Sequence, residues 1–259
     1  MRKLEGQKTL LSRTMHAIAY DEVHDEFYLP VPFPQAILTF RGGANGEEAP
    51  LRIIQGPLTQ LTSPNRLAVD PVHNEIFVPE GREILVYPRE GNGNVAPIRV
   101  LRGPDTQLGA SAVAVDNVHN LLVVAGSGPG RSEGSGGGGR FLIFNRTDQG
   151  NVKPKAVIGG PKSGFQSLSG PFTLYPPKGW IIAGDRGPGD AGELASDQSY
   201  VGVWSVEDNG DVPPRWRIGG PKGVFQMPRG ITLNPKHKEV IVSDKRLNGV
   251  LTFYFPEMF

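Results

Sequence analysis

The sequence predicts an all-β fold: a five-bladed β-propeller built from four-stranded antiparallel blades. Three observations predict it: a composition rich in turn residues, a five-fold internal repeat of short apolar strands, and an N-terminal segment that matches the strand missing from the last repeat. We expect a closed set of sheets rather than a linear stack, because a stack needs polar caps at its ends and the sequence shows none.

The composition favours many short strands and disfavours several classes of partner. The chain of 259 residues holds 35 Gly and 24 Pro, and these residues mark turns. Lys plus Arg is 27 and Asp plus Glu is 26, so no bulk charge attracts nucleic acid. With no Cys, disulfides and thiolate chemistry are excluded. No run has the length of a membrane span, and the first residues do not form a signal peptide.

The repeat consists of an apolar strand ending in a polar residue, a tight turn and a second apolar strand. Its five copies are HAIAYDEVHDEFYL, NRLAVDPVHNEIFV, SAVAVDNVHNLLVV, GPFTLYPPKGWIIA and RGITLNPKHKEVIV. The residues that end the first strands are Asp21, Asp70, Asp116, Tyr175 and Asn234, spaced by 49, 46, 59 and 59 residues. One supersecondary unit recurring at such spacing predicts the blades.

Each copy continues into further strands. The third strands are AILTF, EILVY, RFLIF, YVGVW and GVLTF. Four copies then carry a hairpin signal, GANGEEAP, GNGNVAP, DQGNVKP and DNGDVPP, in which glycine supplies the positive φ of a tight turn. The fourth strands, RIIQG, RVLRG, KAVIGG and WRIGG, follow these hairpins.

The fifth copy stops after its third strand, and the N-terminus offers the missing one. The segment RKLEG at residues 2–6 matches RIIQG and RVLRG. Gly6 precedes the end of the next first strand by 15 residues, and the internal copies show 13 to 15. We therefore expect one domain, residues 1–259, with blade 5 formed by 230–259 together with 2–6, an arrangement that protects strand edges.

The last copy carries a family resemblance. Residues 224–255 resemble an NHL repeat at Phe225, Pro228, Gly230, the strand that ends in Asp244, and the third strand after Asn248. NHL-repeat and SMP-30-like propellers include protein- and RNA-binding proteins, calcium-dependent lactonases and amidating lyases. The resemblance implies a propeller and an exported, extracellular or periplasmic, protein.

Two connections are much longer than the rest. The inserts 126–139 and 185–199 both fall between the second and third strands of their blades, blades 3 and 4. Long loops on one face often carry recognition, although tolerated surface insertions would look the same. The first insert lacks the Gly-Lys-Ser/Thr ending of a phosphate-binding loop.

The candidate site is polar and lies at the expected mouth of the central channel, on the side of these inserts. Its residues come from the ends of second strands and the starts of first strands: His16, Asn65, Arg66, Glu80, Asp185, Arg229 and Asp244. Such a set suits a polar ligand or a hard cation such as calcium. The alternative is that Asp185 and Asp244 only cap turns. We assign no catalytic residue, no metal and no cofactor.

Four of the five histidines share one turn position in different blades: His24, His73, His119 and His237. Equivalent positions are dispersed around a propeller, which is too far apart for one metal ion, so we expect a structural turn role.

Three functions remain open. The first is a non-catalytic binding or scaffold protein that presents its loop-rich face to a protein partner, as a subunit of a larger assembly. The second is a cation-dependent, lactonase-like hydrolase or lyase, and the third a polysaccharide- or RNA-binding module. The missing nucleophile and metal motifs favour binding to a protein over catalysis. Nucleic acid is disfavoured by charge, and a small-molecule or glycan ligand is left open.

Overall fold

The computed structural model describes residues 2–13, 15–127, 138–166, 168, 172–187 and 198–259. These residues form antiparallel sheets and short 3-10 turns, with no α-helix in the ranges just given. Five sheets follow one another along the chain, so the predicted all-β, five-bladed propeller is confirmed. No helix in the described ranges is long and apolar enough to cross a membrane.

The chain divides into two compact units. The first comprises residues 1–106 and 149–152 and contains two sheets of four strands. The strands of blade 1 are β1 (Ala19–Asp21), β2 (Glu26–Val31), β3 (Ala36–Arg41) and β4 (Arg52–Gln55). Those of blade 2 are β5 (Ala68–Asp70), β6 (Glu75–Pro79), β7 (Glu83–Pro88) and β8 (Arg99–Arg102).

The second unit comprises residues 107–148 and 153–259 and contains three sheets. The strands of blade 3 are β9 (Ala110–Asp116), β10 (Leu121–Ser127), β11 (Gly139–Asn145) and β12 (Ala156–Ile158). Those of blade 4 are β13 (Phe172–Tyr175), β14 (Trp180–Asp185), β15 (Tyr200–Ser205) and β16 (Trp216–Gly219). Those of blade 5 are β17 (Pro228–Asn234), β18 (Glu239–Asp244) and β19 (Gly249–Tyr254).

The fifth sheet departs from the expected four strands. It has three, in the order β17-β18-β19, and residues 2–6 are not among them. The side chains of β19 are less buried than those of the other third strands, with Val250 67% and Tyr254 72% exposed. Leu4 lies in an isolated parallel bridge with Gly46, the hairpin glycine of blade 1. The completion of blade 5 by residues 2–6 therefore stays a prediction.

The hairpins between third and fourth strands clamp the preceding outer strand. Gly93 donates its N–H to the Ile53 carbonyl at 2.6 Å and accepts the Gln55 N–H at 3.0 Å. The Asn92 side chain accepts the Ile53 N–H at 3.0 Å, and Asn94 accepts the N–H of Leu58 at 2.8 Å. The same parallel bridge recurs in the pairs Leu4–Gly46, Leu101–Gly150 and Ile158–Gly210. The hairpin signal of the sequence thus marks a link between successive repeats as well as a turn.

The N-terminal segment has a complete copy of this clamp within the first unit. Asn45 accepts the Lys3 N–H at 2.9 Å, and Gly46 donates to the Lys3 carbonyl at 2.7 Å. Leu4 also packs beside a buried cluster on the face of blade 1. Residues 2–6 are therefore held by blade 1 in the way that internal outer strands are held by the blade that follows them.

In three blades, one pair of positions on the second and fourth strands is filled by residues that interact with each other. Glu26 bonds to Arg52 at 2.6 Å in blade 1, and Glu75 bonds to Arg99 through two contacts of 2.7 Å in blade 2. In blade 4 the equivalent residues are Trp180 and Trp216, whose rings meet edge to face with centroids 5.4 Å apart. At this place blades 1 and 2 therefore pair opposite charges, and blade 4 pairs two aromatic rings.

The first-to-second-strand turns confirm the structural role expected for three histidines. The buried carboxylates of Asp21, Asp70 and Asp116 accept the backbone N–H groups two and three residues later. Each also lies 2.7 Å from the Nδ1 atom of its histidine, which is His24, His73 or His119. These imidazoles are held within their own turns.

Candidate functional site

The predicted site residues fall in both units. His16, Asn65, Arg66 and Glu80 belong to the first unit, and Asp185, Arg229 and Asp244 to the second. Asp185 and Asp244 end second strands, and Glu80 directly follows one. Arg229 is the second residue of a first strand, whereas His16, Asn65 and Arg66 lie two or three residues before the first strands of their blades.

Glu80 follows β6 and holds the connection that leads into blade 2. Its carboxylate accepts the Thr62 hydroxyl at 2.5 Å and the Thr62 and Ser63 N–H groups at 3.1–3.2 Å. Asn65 donates to the Ser63 carbonyl at 2.9 Å in the same connection. His16 is exposed, and Arg66 is half-buried. Asn65 and Arg66 thus lie in this short connection, and Glu80 bonds to it.

Asp244 is the last residue of β18 and is 2% exposed. One carboxylate oxygen accepts the N–H groups of Gln226 and Met227 at 2.8 Å, and the other accepts those of Arg246 and Leu247 at 3.0 and 3.1 Å. Burial is the largest influence on this carboxyl and raises its pKa, but the four backbone hydrogen bonds together outweigh it and the pKa is lowered.

Asp185 occupies the equivalent place in blade 4 and is fully buried. It accepts the Gln166 N–H at 2.9 Å and the Gly187 N–H at 2.8 Å. Gln166 and Gln226 both follow a phenylalanine at the same repeat position. Glu80, Asp185 and Asp244 therefore have the same structural role, because each accepts backbone N–H groups of the connection that precedes the first strand of its blade.

These bonds bear on what the acids can do chemically. A carboxylate that already accepts several N–H groups has few lone pairs left to coordinate a cation. Within the ranges that the structure describes, no three His, Asp or Glu side chains are grouped as metal ligands. Arg229, near Asp244, is half-buried, and its Nε atom has no hydrogen-bond partner in those ranges. The geometry favours the turn-capping interpretation of Asp185 and Asp244.

Both long connections join second to third strands, as the sequence predicts, but the predicted bounds 126–139 and 185–199 are too wide, because Gly126, Ser127, Gly139 and Asp185 belong to strands. In the second unit, residues 128–138 join β10 to β11 and residues 186–199 join β14 to β15. Most of both inserts, 128–137 and 188–197, lies outside the described residues. The corresponding connections of blades 1, 2 and 5 are only three or four residues long, at 32–35, 80–82 and 245–248.

The first unit has an exposed feature that the sequence did not indicate. Phe33, in the connection between β2 and β3, is 77% exposed and stands between two prolines. Beside this connection is an open cleft of about 470 Å³, lined by Pro34, Gln35, Gln55, Gly56, Pro57 and Leu61. An aromatic side chain left in solvent next to a cleft is a candidate contact for another molecule.

Comparison with known proteins identifies the fold and no family. No family model and no curated protein matches the chain. The NHL-repeat and SMP-30-like resemblance therefore remains a prediction.

Solved structures resemble the chain over most of its length. They include hydrazine synthase from Kuenenia stuttgartiensis, with TM-score 0.60, 11% identity, and 88% of this chain and 55% of that chain covered. The β-propeller domain of Cps50 (Swd1) from Myceliophteria thermophila has TM-score 0.59 and 10% identity, with 95% and 68% covered. A protein named as a candidate 6-phosphogluconolactonase from Bacteroides uniformis has TM-score 0.55 and 14% identity, with 91% and 65% covered. The chain spans 55% and 65% of the first and third of these proteins. At such identities the likeness shows the fold alone, a β-propeller.

Proposed function

We propose that this chain is a non-catalytic β-propeller that binds a protein partner, as a subunit of a larger assembly, through its connections between second and third strands. The observation that carries the proposal is the length of two such connections, 128–138 and 186–199, beside three or four residues in the other blades. Long loops on a rigid sheet scaffold are where recognition is usually found.

Two further observations support binding over catalysis. The acidic residues expected at the channel mouth are engaged with backbone N–H groups, as described for Glu80, Asp185 and Asp244. Phe33, in a connection of the same kind, exposes an aromatic ring, and aromatic residues are enriched among the anchors of protein interfaces. Because propellers support enzymes and binding proteins alike, the fold itself does not decide.

Site-specific photo-crosslinking tests the proposal. A crosslinking amino acid is placed at Phe33 or in the 128–138 connection, and in matched controls at Val72 or Val118, which are exposed in first-to-second-strand turns. We expect one protein to be captured from the first two positions and not from the controls. The purified partner should then bind a variant with a shortened 128–138 connection at least tenfold more weakly, about 1.4 kcal/mol. Equal capture from the control positions, or unchanged affinity of the variant, would contradict the proposal.

A calcium titration separates this function from the lactonase-like alternative. A cation bound only by the folded chain would raise its melting temperature with calcium concentration. We expect no calcium-dependent shift in the native chain or in Asp244→Ala. Tight one-to-one calcium binding that is lost in Asp244→Ala would instead favour the hydrolase or lyase.

A further inference from the structure

A buried guanidinium lies at the root of the long connection of blade 3. Arg140 is the second residue of β11, separated from the 128–138 connection only by Gly139, and pairs across the sheet with Gly126. The residue is 8% exposed. The position is therefore inside the protein and next to the segment proposed to meet a partner.

Among the described residues, the Arg140 side chain has only neutral partners. Its Nη1 atom donates to Gln107 Oε1 at 3.1 Å and its Nη2 atom to the Gln107 carbonyl at 2.5 Å. Its Nε atom has no hydrogen-bond partner in the part of the chain that the structure describes. Burial lowers the pKa of this guanidinium. A buried cation without a counter-charge costs free energy, so its retention calls for an explanation.

Equivalent positions in other blades show that the local fold does not require this charge. Tyr200 of blade 4 aligns with Arg140, and its neutral hydroxyl donates to the Gly164 carbonyl at 2.9 Å, which is the equivalent of the Gln107 carbonyl. In blade 2 the aligned residue is charged, but Glu83 has a counter-ion, Arg102, at 3.8 Å. A tyrosine would therefore serve the structural purpose at position 140, and the positive charge has no intramolecular role among the described residues.

We infer that Arg140 is the anchor of a carboxylate-binding site that receives an acidic side chain of the protein partner. The inference rests on the proposed function and names the chemistry of the contact. Gln107 uses one hydrogen on each Nη atom, so among the described residues the Nε–H and the remaining Nη hydrogens have no acceptor. A carboxylate accepts two parallel N–H bonds from one edge of a guanidinium, which supplies both the missing charge and the missing acceptor.

The test uses the purified full chain without its partner, and Arg140→Tyr as the main variant because tyrosine stands at the equivalent position 200. Melting temperatures are measured in sodium acetate and in sodium chloride of equal ionic strength. The matched control is Arg217→Gln, which removes one positive charge from a guanidinium that lies over the Tyr200 ring. We expect acetate to raise the melting temperature of the native chain and of Arg217→Gln. Arg140→Tyr should melt at or above the native chain in chloride and lose the response to acetate.

Two further measurements keep the inference open to refutation. If Arg140→Tyr does not fold, Arg140→Lys retains a charge without the planar fork, and we expect acetate to bind it at least tenfold more weakly.

A soluble hexaglutamate peptide, compared with hexaglutamine, then tests the source of the carboxylate. Stabilisation by acetate but not by hexaglutamate would assign a small organic acid and overturn the partner side chain. A response retained in Arg140→Tyr, or no response of the native chain to either probe, would overturn the site. Because acetate needs no partner, failed partner capture with an intact acetate response would refute the proposed function and leave the site standing.

Discussion

At the scale of single residues, the acids at the ends of the second strands act as acceptors for backbone donors. Asp244 shows this most fully, because both of its oxygens are occupied by pairs of N–H groups. Removal of such an acceptor leaves buried donors unsatisfied, and that usually costs more than the bond itself contributes.

The lowered pKa of Asp244 gives its contribution a pH dependence with a definite sign. A carboxyl whose folded pKa is depressed contributes stability above its unfolded pKa of about 4, and loses it as the pH falls through the folded value. We expect Asp244→Asn to unfold about 2 kcal/mol more easily at neutral pH, and the difference from the native chain to shrink below about pH 4. Urea unfolding of both chains from pH 7 to pH 3 measures this difference in unfolding free energy. A pH-independent difference would contradict the assigned role of the ionised carboxylate.

The sequence located the acids correctly but not their partners. The repeat alignment places Glu80, Asp185 and Asp244 at one structural position, and this follows from spacing alone. Backbone donors have no side-chain signature, so the alignment cannot tell a turn cap from a ligand. Arg140 gave no signal for a related reason. It lies near the start of an ordinary third strand, and the absence of a counter-charge among the described residues is visible only when its neighbours in space are known.

At the scale of elements, the hairpin clamp explains why an amide and a glycine recur together after the third strands. We expect Asn92→Ala to cost about 1 kcal/mol, because the Ile53 N–H loses its side-chain acceptor. The matched control is Asn117→Ala, in a turn where the described residues offer that side chain no hydrogen bond. Urea unfolding of the two variants checks the difference, and equal effects would show that the side-chain bond contributes nothing to stability.

The 128–138 connection should be dispensable for folding. Ser127 pairs with Gly139 at the end of the β10–β11 hairpin, so a two-residue loop closes that register. Replacing residues 128–138 with Asn-Gly should leave the cooperative unfolding transition in place, with a melting temperature within a few degrees of the native chain. Circular dichroism with heating measures both the transition and the melting temperature. A variant that fails to fold would mean that the connection belongs to the core of blade 3.

At the scale of the whole molecule, the N-terminal segment is part of the first unit's structure. Deleting residues 1–8 removes the clamp at Gly46 and the packing of Leu4 beside the cluster on blade 1. We expect a loss of about 2–4 kcal/mol, or aggregation, because apolar surface and an outer-strand contact are lost together. Calorimetry of the truncated and full chains checks the expectation, with Leu4→Ala as the control for the apolar contact alone. An unchanged melting temperature would contradict it.

The completion of blade 5 by residues 2–6 remains our proposal, and the repeat gives it a specific form. Arg2 aligns with Arg52 and Arg99, whereas Glu239 aligns with their partners Glu26 and Glu75. We therefore expect Arg2→Glu to destabilise the chain and Glu239→Arg in the same chain to restore part of the loss. Independent, additive effects in this double-mutant cycle would argue against the pairing.

Most of the fold could be predicted because it repeats. The first-strand ends, the hairpins and the third strands agree across blades, so each copy supported the interpretation of the others. The fifth sheet is where this agreement fails, since its described strands number three and the assignment of residues 2–6 to it rests only on a match of sequence. The function was less predictable, because the long connections are defined by their length and not by a chemical motif.

The clamps also set an order of events during synthesis. Lys3 bonds to an asparagine 42 residues later, Ile53 to one 39 residues later, and Val157 to one 52 residues later. Each outer strand therefore leaves the ribosome well before the hairpin that bonds to it. The clamp can form only after the third strand of the next repeat has been synthesised. A nascent chain halted between those two points carries one loose outer strand, while the earlier ones are already fastened. Folding during synthesis would therefore form the clamps one after another, and the clamp on the N-terminal segment would form first.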